Sequence, residues 1–275
     1  MLKKQYRRKW LVHVLLILGA FMMVFPFFWM IMTSLKTTAE SIAIPPSIFP
    51  SEWQWHNYKD IFVIFPFGKF YFNTFVSTAV ITIGQVFLCA MAAYAFARIN
   101  FPFKNVLFIL ILSVLMVPGQ IFLIPQYLII QNMNLLNTIP ALFIPGLFSA
   151  FGTFLLRQFF MTIPKEIEEA AIIDGCSRVR IFFSIILPLS RSALVSLSIF
   201  ALLYGWNSLL WPLIVNTSTE KMTLSAGLAS LSGQYATNYP LIMAGSFLAI
   251  IPLIIAFLLF QKQFIEGIAL SGSKN

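Results

Sequence analysis

The residue types that perform chemistry in enzymes are poorly placed for catalysis in this sequence. No long apolar stretch contains paired carboxylates, a histidine cluster or a nucleophile beside a base. Gly68-Lys69 is the only Gly-Lys pair, and it lacks the glycine spacing and the following Ser or Thr of a phosphate-binding loop. Cys89 and Cys176 suit neither a metal site nor a structural disulfide. We therefore predict no catalytic residue, no metal and no cofactor bound by this chain.

The most distinctive group of charged residues lies between two apolar stretches, in residues 160–192. Pro164 suits the first turn of a helix, where its missing N–H costs nothing. Acidic residues in the following turns complement the helix dipole. These acids are Glu166, Glu168 and Glu169. Gly175 then stands where a left-handed cap would end this helix.

A second helix is predicted directly after the first. Ser177 can cap it. An apolar face follows at helical spacing, formed by Ile181, Phe182, Ile185 and Ile186. Pro188 discourages its continuation. The sequence therefore predicts a helix–turn–helix.

The composition places most of the chain in lipid. Of its 275 residues, 59% are hydrophobic and 10% are charged, whereas a soluble domain carries about a quarter charged residues. No soluble core could bury this much apolar surface. The net charge of +9 does not indicate nucleic acid, because the basic residues form no stripe with interleaved aromatic residues.

Six apolar runs are long enough to cross a membrane, which takes about 20 helical residues. They lie near residues 10–34, 70–96, 105–130, 138–159, 193–215 and 241–260. We predict an all-α membrane protein with six transmembrane helices. Prolines interrupt several of these spans, and they indicate either ordinary kinks in a packed bundle or the opening of a cavity.

The distribution of charge predicts the orientation of the chain. The excess of Lys and Arg over Asp and Glu lies in residues 1–9, between the second and third spans, in residues 157–192 and in residues 261–275, whereas the charges of the other segments cancel. Basic residues favour the cytoplasmic side. We therefore expect a multi-pass membrane domain at residues 10–262, with both tails and the loop 160–192 inside.

The spans lack ionisable residues near their centres. Ion-coupled transporters need such groups, because the coupling ion must act on a charge. An ion-coupled secondary transporter of a neutral solute therefore remains the alternative to a permease that receives its energy from another subunit. A membrane-embedded enzyme is a third possibility that no residue pattern favours.

Two interpretations of residues 160–192 follow from physics alone. The segment could be an amphipathic helix pair lying on the inner leaflet. However, its first helix is mostly acidic, whereas an anionic leaflet attracts basic helices. Ala170-Ala171 also offers a small-residue surface suited to close approach by a protein groove.

The spacing of this segment resembles the EAA loop of binding-protein-dependent ABC importers. The matching residues are Glu169, Ala170, Ala171, Asp174, Gly175, Ile185, Leu187 and Pro188. Cys176 and Ser192 depart mildly from the usual alanine and proline. The resemblance implies that residues 164–188 form coupling helices that dock on a separate ATPase subunit, which binds ATP and Mg.

Further stretches resemble the second, six-span permease subunit of maltose-type carbohydrate importers. They are Ser34-Leu35-Lys36-Thr37, Pro45-Pro46, Asn57-Tyr58, Ala93 to Arg98, Trp206-Asn207, Trp211-Pro212 and Phe264 to Gly267. The resemblance implies a heterodimer with a second permease, two ATPase subunits and an external solute-binding protein that docks on residues 35–69 and 216–240. The implied cargo is a sugar or oligosaccharide. The resemblance also implies that residues 10–262 are a permease domain in the cytoplasmic membrane of a prokaryote.

The fifth span carries the residues best suited to the solute path. Trp206 and Asn207 provide an aromatic face and an amide, which can stack on and hydrogen-bond a sugar. Packing between helices is the alternative role for both. The lack of a central cation makes an anionic cargo less expected, although a partner subunit could supply one.

Overall fold

The computed structural model describes residues 2–231 and 237–272, with side chains described for 10, 12–231 and 237–261. These residues form helices and connecting turns, and no strand occurs among them. The α-helices are Leu2–Ser34, Thr38–Ser41, Asn57–Ile64, Phe67–Arg98, Lys104–Ser113, Leu123–Asn132, Ile139–Phe143, Ala150–Thr162, Lys165–Ile173, Arg178–Ile181, Leu187–Leu189, Arg191–Trp206, Leu210–Val215, Leu224–Ser230 and Tyr239–Gly272. Short 3₁₀ turns occupy Val114–Met116, Gly119–Phe122, Ile144–Gly146 and Thr219–Lys221, and Phe182–Ile186 is a π turn.

Three continuous helices are long and apolar enough to cross a membrane: Val12–Ser34, Phe67–Arg98 and Tyr239–Gln261. Three more candidates are bent pairs of helices: Lys104–Met116 with Gly119–Asn132, Ile139–Gly146 with Ala150–Thr162, and Arg178–Leu189 with Arg191–Trp206. Their bends are 104°, 44° and 79°. The total reaches six spans if each pair counts as one, which agrees with the predicted all-α membrane fold.

The apolar runs predicted near 105–130 and 193–215 are each interrupted in the structure. Val117 and Pro118 are extended, with ψ of 128° at both residues. Proline pushes the preceding residue out of the helical region, which breaks the third candidate span at this point. The fifth run begins at Arg191 and is interrupted after Trp206, before the short helix Leu210–Val215 begins.

Breaks inside an apolar chain expose backbone carbonyls that need partners. The buried Gln85 side chain donates a hydrogen bond of 2.8 Å to the Gly146 carbonyl at the break in the fourth candidate span. The Trp211 indole donates to the Ala141 carbonyl, also at 2.8 Å. Polar side chains from neighbouring helices therefore satisfy the freed acceptors, as expected from the prolines.

One compact unit contains the chain up to Phe67 together with Leu228–Pro252. Within it, Asn57 Nδ2 donates to the carbonyls of Ser34, at 2.9 Å, and Lys36, at 3.2 Å. The Tyr58 and Ser34 hydroxyl oxygens lie 2.7 Å apart. Two stretches that the sequence separates by about twenty residues therefore meet directly after the first span.

The second unit contains Gly68–Gly227 and the chain from Leu253. Its main core joins the helices Phe67–Arg98, Ala150–Thr162 and Arg191–Trp206 to residues 171–186. At Gly152 a Cβ atom would lie 2.9 Å from Leu197 Cδ1 and 3.2 Å from Cys89 Sγ, so only glycine allows this approach without displacement. Cys89 is a buried free thiol within this packing.

Candidate functional site: an anchored helix pair and a polar cavity

The first helix of the polar segment runs from Lys165 to Ile173. Pro164 stands immediately before it with ψ of 137°, one residue earlier than the predicted position in the first turn. Glu166 and Glu168 lie in the first turn, where their charges favour the helix dipole. The restricted φ of Pro164 and the acidic residues of the first turn both favour the start of a helix at this point.

The turn after this helix is closed by Gly175, whose φ is +82°. The Gly175 N–H donates to the Ile172 carbonyl at 3.0 Å, and the Cys176 N–H donates to the Ala171 carbonyl at 2.9 Å. This pair of bonds is the Schellman arrangement, which uses a left-handed residue to end a helix. The predicted left-handed cap is confirmed.

The second helix begins at Arg178, and the Ser177 hydroxyl accepts a hydrogen bond from the Arg180 N–H at 3.3 Å. The cap is therefore confirmed, and the helix ends at Leu189, one residue after Pro188, the residue expected to discourage its continuation. The π turn Phe182–Ile186 precedes Pro188, and helix continues through Leu189. A wider turn accommodates the proline ring and its missing N–H, so the chain bends only at Ser190.

The helix pair has a buried side and an exposed side. Ala171, Ile181, Phe182 and Ile186 are buried in the core of the second unit, and Ile185 and Leu187 pack against it. The exposed side carries Glu169, Ala170, Asp174, Gly175 and Pro188. Ile173 is 85% exposed and Val179 is 67% exposed, so apolar side chains are interspersed with the acids.

The residue that anchors this helix pair is Glu168, which the motif does not include. Its side chain is 8% exposed, and its Oε1 lies 2.7 Å from Arg98 Nε, whose side chain is 4% exposed. Arg98 Nη2 donates to the Phe160 carbonyl at 2.7 Å and to the Ile163 carbonyl. One guanidinium thus joins the ends of two span helices to the first turn of the polar segment.

Sequence reasoning missed this role, although two signals pointed to it. Arg98 is the only cation in the long helix Phe67–Arg98 after Lys69, and it stands in that helix's last turn. Glu168 lies three residues before Ala171, on the same side of the helix. The burial of both side chains depends on the packing of distant helices, which no local pattern reveals.

The predicted solute-path residues Trp206 and Asn207 have different environments: the first is buried and the second is exposed. Trp206 is 8% exposed, and its ring centroid lies 6.5 Å from that of Tyr71 in an edge-on arrangement. This environment matches the packing alternative. Asn207 is exposed, and its Nδ2 donates to the Leu203 carbonyl at 2.9 Å.

Asn207 lines a cavity of about 470 Å³ within the second unit. Its polar side chains are Gln120, Gln126, Tyr204, Asn207 and Ser208, and Trp211 supplies an aromatic ring. Gly119, Pro145 and Gly146 also line it, so the cavity lies at the breaks in the third and fourth candidate spans. No charged residue is among the described residues that line this cavity. Amide and hydroxyl groups beside an aromatic ring are suited to a hydroxylated, uncharged group.

The two glutamines were not singled out from the sequence. Both lie in the half of the third candidate span that follows its 104° break at Pro118, and their approach to the other lining residues depends on tertiary packing. Among the described residues, no three His, Cys, Asp or Glu side chains are arranged to hold a metal ion.

Comparisons with known proteins place these features in context. The model of a family described as "Binding-protein-dependent transport system inner membrane component" matches residues 85–268. The sn-glycerol-3-phosphate transport system permease protein UgpE of Yersinia enterocolitica is 35% identical over 264 residues, covering 93% of this chain and 94% of that protein. The protein of the same name from Escherichia coli O6:K15:H31 is 34% identical over 272 residues, covering 95% and 97%.

A solved structure resembles the fold along nearly the whole chain. It is the crystal structure of a bacterial ABC transporter involved in the import of the acidic polysaccharide alginate. The TM-score is 0.81 at 20% sequence identity, covering 94% of this chain and 97% of that chain. At this identity the likeness is one of fold.

Replacing Gly175 tests the turn between the two helices. A Cβ atom at this position would meet nothing within 4 Å, so strain arises from φ alone. Gly175→Val should destabilise the turn by about 1–2 kcal/mol, whereas Gly175→Asn, which tolerates the left-handed region, should behave nearly as the unaltered chain. Hydrogen exchange of residues 165–181 in the purified protein measures the difference. Equal protection in both variants would contradict a role for φ.

Removing Arg98 tests the anchor. Arg98→Ala leaves the Glu168 carboxylate buried without its partner, and such losses cost about 3–5 kcal/mol. Thermal unfolding in detergent should show a marked loss of stability, while Glu169→Gln, at the exposed neighbour, should stay within about 0.5 kcal/mol. Removing both partners, in Arg98→Ala with Glu168→Ala, should be milder than Arg98→Ala alone, because no charge is then left unpaired. An equal loss in both would contradict the pairing.

Proposed function

This chain belongs to the binding-protein-dependent transport system inner membrane components, and we propose that it transmits force from a separate ATPase through residues 164–188. Membership makes it a non-enzymatic permease subunit of an ABC importer in the inner membrane. Such importers combine permeases, an ATPase and a solute-binding protein. For this chain we propose one related permease as partner, two ATPase copies that bind ATP and Mg, and an external binding protein.

One observation carries the coupling proposal: the helix pair is exposed on one side and anchored on the other. The exposed side presents Glu169, Ala170 and Asp174 together with the apolar Ile173. A groove of another protein can bury such a surface, with a small residue allowing close approach. The buried side holds Glu168, which is paired with Arg98. A movement imposed on the exposed side is therefore transferred to two span helices.

The second helix offers a further path for the same movement. It bends by 79° at Ser190 and leads directly into helix Arg191–Trp206. The end of that helix contributes Tyr204 to the polar cavity, and Asn207 follows it. A shift of the helix pair would thus reach the cavity through continuous backbone, as expected for rocking between inward- and outward-facing states.

The orientation of the chain is supported by its charge. The basic excess around residues 1–9, Arg98, residues 157–191 and the tail favours the cytoplasm for both termini. Backbone helix includes residues 2–9 and 263–272, while residues 273–275 lie outside the described part. We propose that residues 35–69 and 216–240 face the binding protein; of these, residues 232–236 lie outside the described part.

For the cargo we propose a polyhydroxylated solute of the carbohydrate class. The relatives named for sn-glycerol-3-phosphate transport and the alginate importer both move hydroxyl-rich anions. The cavity of this chain offers amides, hydroxyls and Trp211, with no charged residue among its described lining. This subunit would bind hydroxyl groups, and any negative charge on the cargo would be neutralised by the partner permease.

Reversing the charge of Glu169 tests the coupling proposal. In the assembled transporter, Glu169→Lys should reduce solute-stimulated ATP hydrolysis by at least about tenfold, equivalent to ~1.4 kcal/mol of lost docking energy. Membrane insertion should be preserved, because the side chain is exposed. Capture of the ATPase by the permease should also fall in Glu169→Lys, whereas Glu52→Lys, which makes the same charge change on an exposed residue outside the segment, should leave that capture unchanged. Normal coupling in Glu169→Lys would remove the docking role.

Two glutamines of one helix test the solute cavity. Gln126 lines the cavity, whereas Gln131 is exposed on the same helix, Leu123–Asn132, outside it. Loss of one hydrogen bond to the solute costs about 1 kcal/mol, so Gln126→Leu should raise the half-saturation concentration for uptake roughly fivefold to tenfold. Gln131→Leu should leave it unchanged. Equal effects would contradict the assignment, and uptake driven by an ion gradient without the ATPase would overturn the importer mechanism.

A further inference from the structure

A second polar cleft lies at the opposite end of helix Phe67–Arg98 from Lys69. It has a volume of about 530 Å³ and lies where this helix ends and helix Lys104–Ser113 begins. Asn100, Lys104, Asn105 and Arg157 are its polar lining. Neither the coupling segment nor the solute cavity uses these side chains.

The two cations that line this cleft form no ion pair with an acidic residue among the side chains that the structure describes. Lys104 lies within electrostatic range of both Arg157 and Lys165. None of these three residues forms an ion pair with a carboxylate in the described part of the chain. Like charges gathered in a partly buried place repel one another. An anion bound among them would relieve this repulsion.

The two lining cations are held in position by the backbone. Lys104 Nζ donates to the Ile99 carbonyl at 2.9 Å, which leaves two ammonium hydrogens for a ligand. Arg157 Nε donates to the Phe96 carbonyl at 3.2 Å, and its guanidinium carbon lies 4.1 Å from the centroid of the Phe108 ring. The terminal nitrogens of Arg157 remain available for a forked contact with phosphate oxygens.

Exposed apolar side chains continue from the cations along the same helix. Phe103 is 76% exposed beside Lys104, and Val106, Ile109 and Leu110 are 55%, 64% and 58% exposed. Helix Lys104–Ser113 therefore begins with a charged residue and continues with an exposed apolar surface. A phospholipid has the same order of groups, a charged headgroup followed by acyl chains. A soluble anion would use only the first part of this surface.

We propose that this cleft binds the phosphate headgroup of an anionic phospholipid, held by Lys104 and Arg157, with its acyl chains along helix Lys104–Ser113. The site would lie at the inner leaflet in the orientation proposed above, where anionic lipids attract basic residues. It is separate from the coupling surface, so it is a lipid site additional to the transport function.

The test uses the complete transporter, purified in detergent and examined by native mass spectrometry during titration with phosphatidylglycerol or phosphatidylcholine. We expect preferential retention of phosphatidylglycerol. Lys104→Gln with Arg157→Gln should weaken that retention, by about fivefold for each cation removed. Lys104→Arg should retain the lipid, because the charge is kept.

Matched controls separate a site from general attraction. Lys59→Gln with Lys221→Gln removes two charges from exposed residues far along the chain and should leave retention unchanged. Equal loss in this pair, or equal retention of both lipids by the unaltered complex, would overturn the proposal. Should Lys104→Gln with Arg157→Gln impair folding, Lys104→Gln alone supplies the comparison with Lys104→Arg.

Competition distinguishes a lipid from a soluble anion. Inorganic phosphate at millimolar concentration should not displace phosphatidylglycerol, because it lacks the acyl chains. Displacement by phosphate would assign the cleft to a soluble ligand and contradict the proposal. Failure of the complete transporter, in which the ATPase is already bound, to retain phosphatidylglycerol would contradict the proposal equally. Loss of coupling in Glu169→Lys with retained lipid would leave this proposal standing.

Discussion

A buried charge must be paired, and in this protein the buried ion pair between Arg98 and Glu168 fixes the position of the polar helix pair. Both side chains are almost inaccessible, so either charge alone would be costly in its surroundings. The guanidinium also binds the last carbonyls of the helix before the polar segment, acceptors that a helix end always leaves open. As a result, the first turn of the exposed helix pair cannot shift without two span helices. The motif residues on the outer side are thereby mounted on a rigid support rather than on a free loop.

The broken spans obey a related constraint, because buried backbone polar groups also need partners. An apolar helix that stops in mid-course leaves backbone acceptors without partners, and in lipid no water replaces them. Gln85 and Trp211 supply the missing donors, and the irregular backbone borders a polar cavity instead of hydrocarbon. The prolines therefore have both roles that the sequence left open: they kink a packed bundle, and the kinks border a polar cavity.

The sequence was sufficient for features that depend on local chemistry. The hydrophobic runs predicted the all-helical membrane fold, and the Gly175 cap and the Ser177 cap are as expected, because a left-handed turn and an N-cap require particular residue types. Features that depend on distant packing could not be predicted. These include the burial of Trp206, the participation of Gln120 and Gln126 in a cavity, and the choice of Glu168 over its neighbour as the buried acid. The helix ends one residue after Pro188, but no residue pattern predicted the π turn that precedes this proline.

The exposure of Ile173 and Val179 has a consequence for the amount of this protein that persists in a cell. Both are largely exposed at the tip of a polar, charged segment, where apolar side chains meet water unless another protein covers them. A chain made in excess of its partners would expose this apolar surface continuously. The exposed surface would favour aggregation, and proteases would degrade the unassembled chain in preference to the assembled complex. If the ATPase covers this patch as proposed above, the supply of that subunit would limit the amount of stable chain, and the proposed coupling contact would also control the ratio of the subunits.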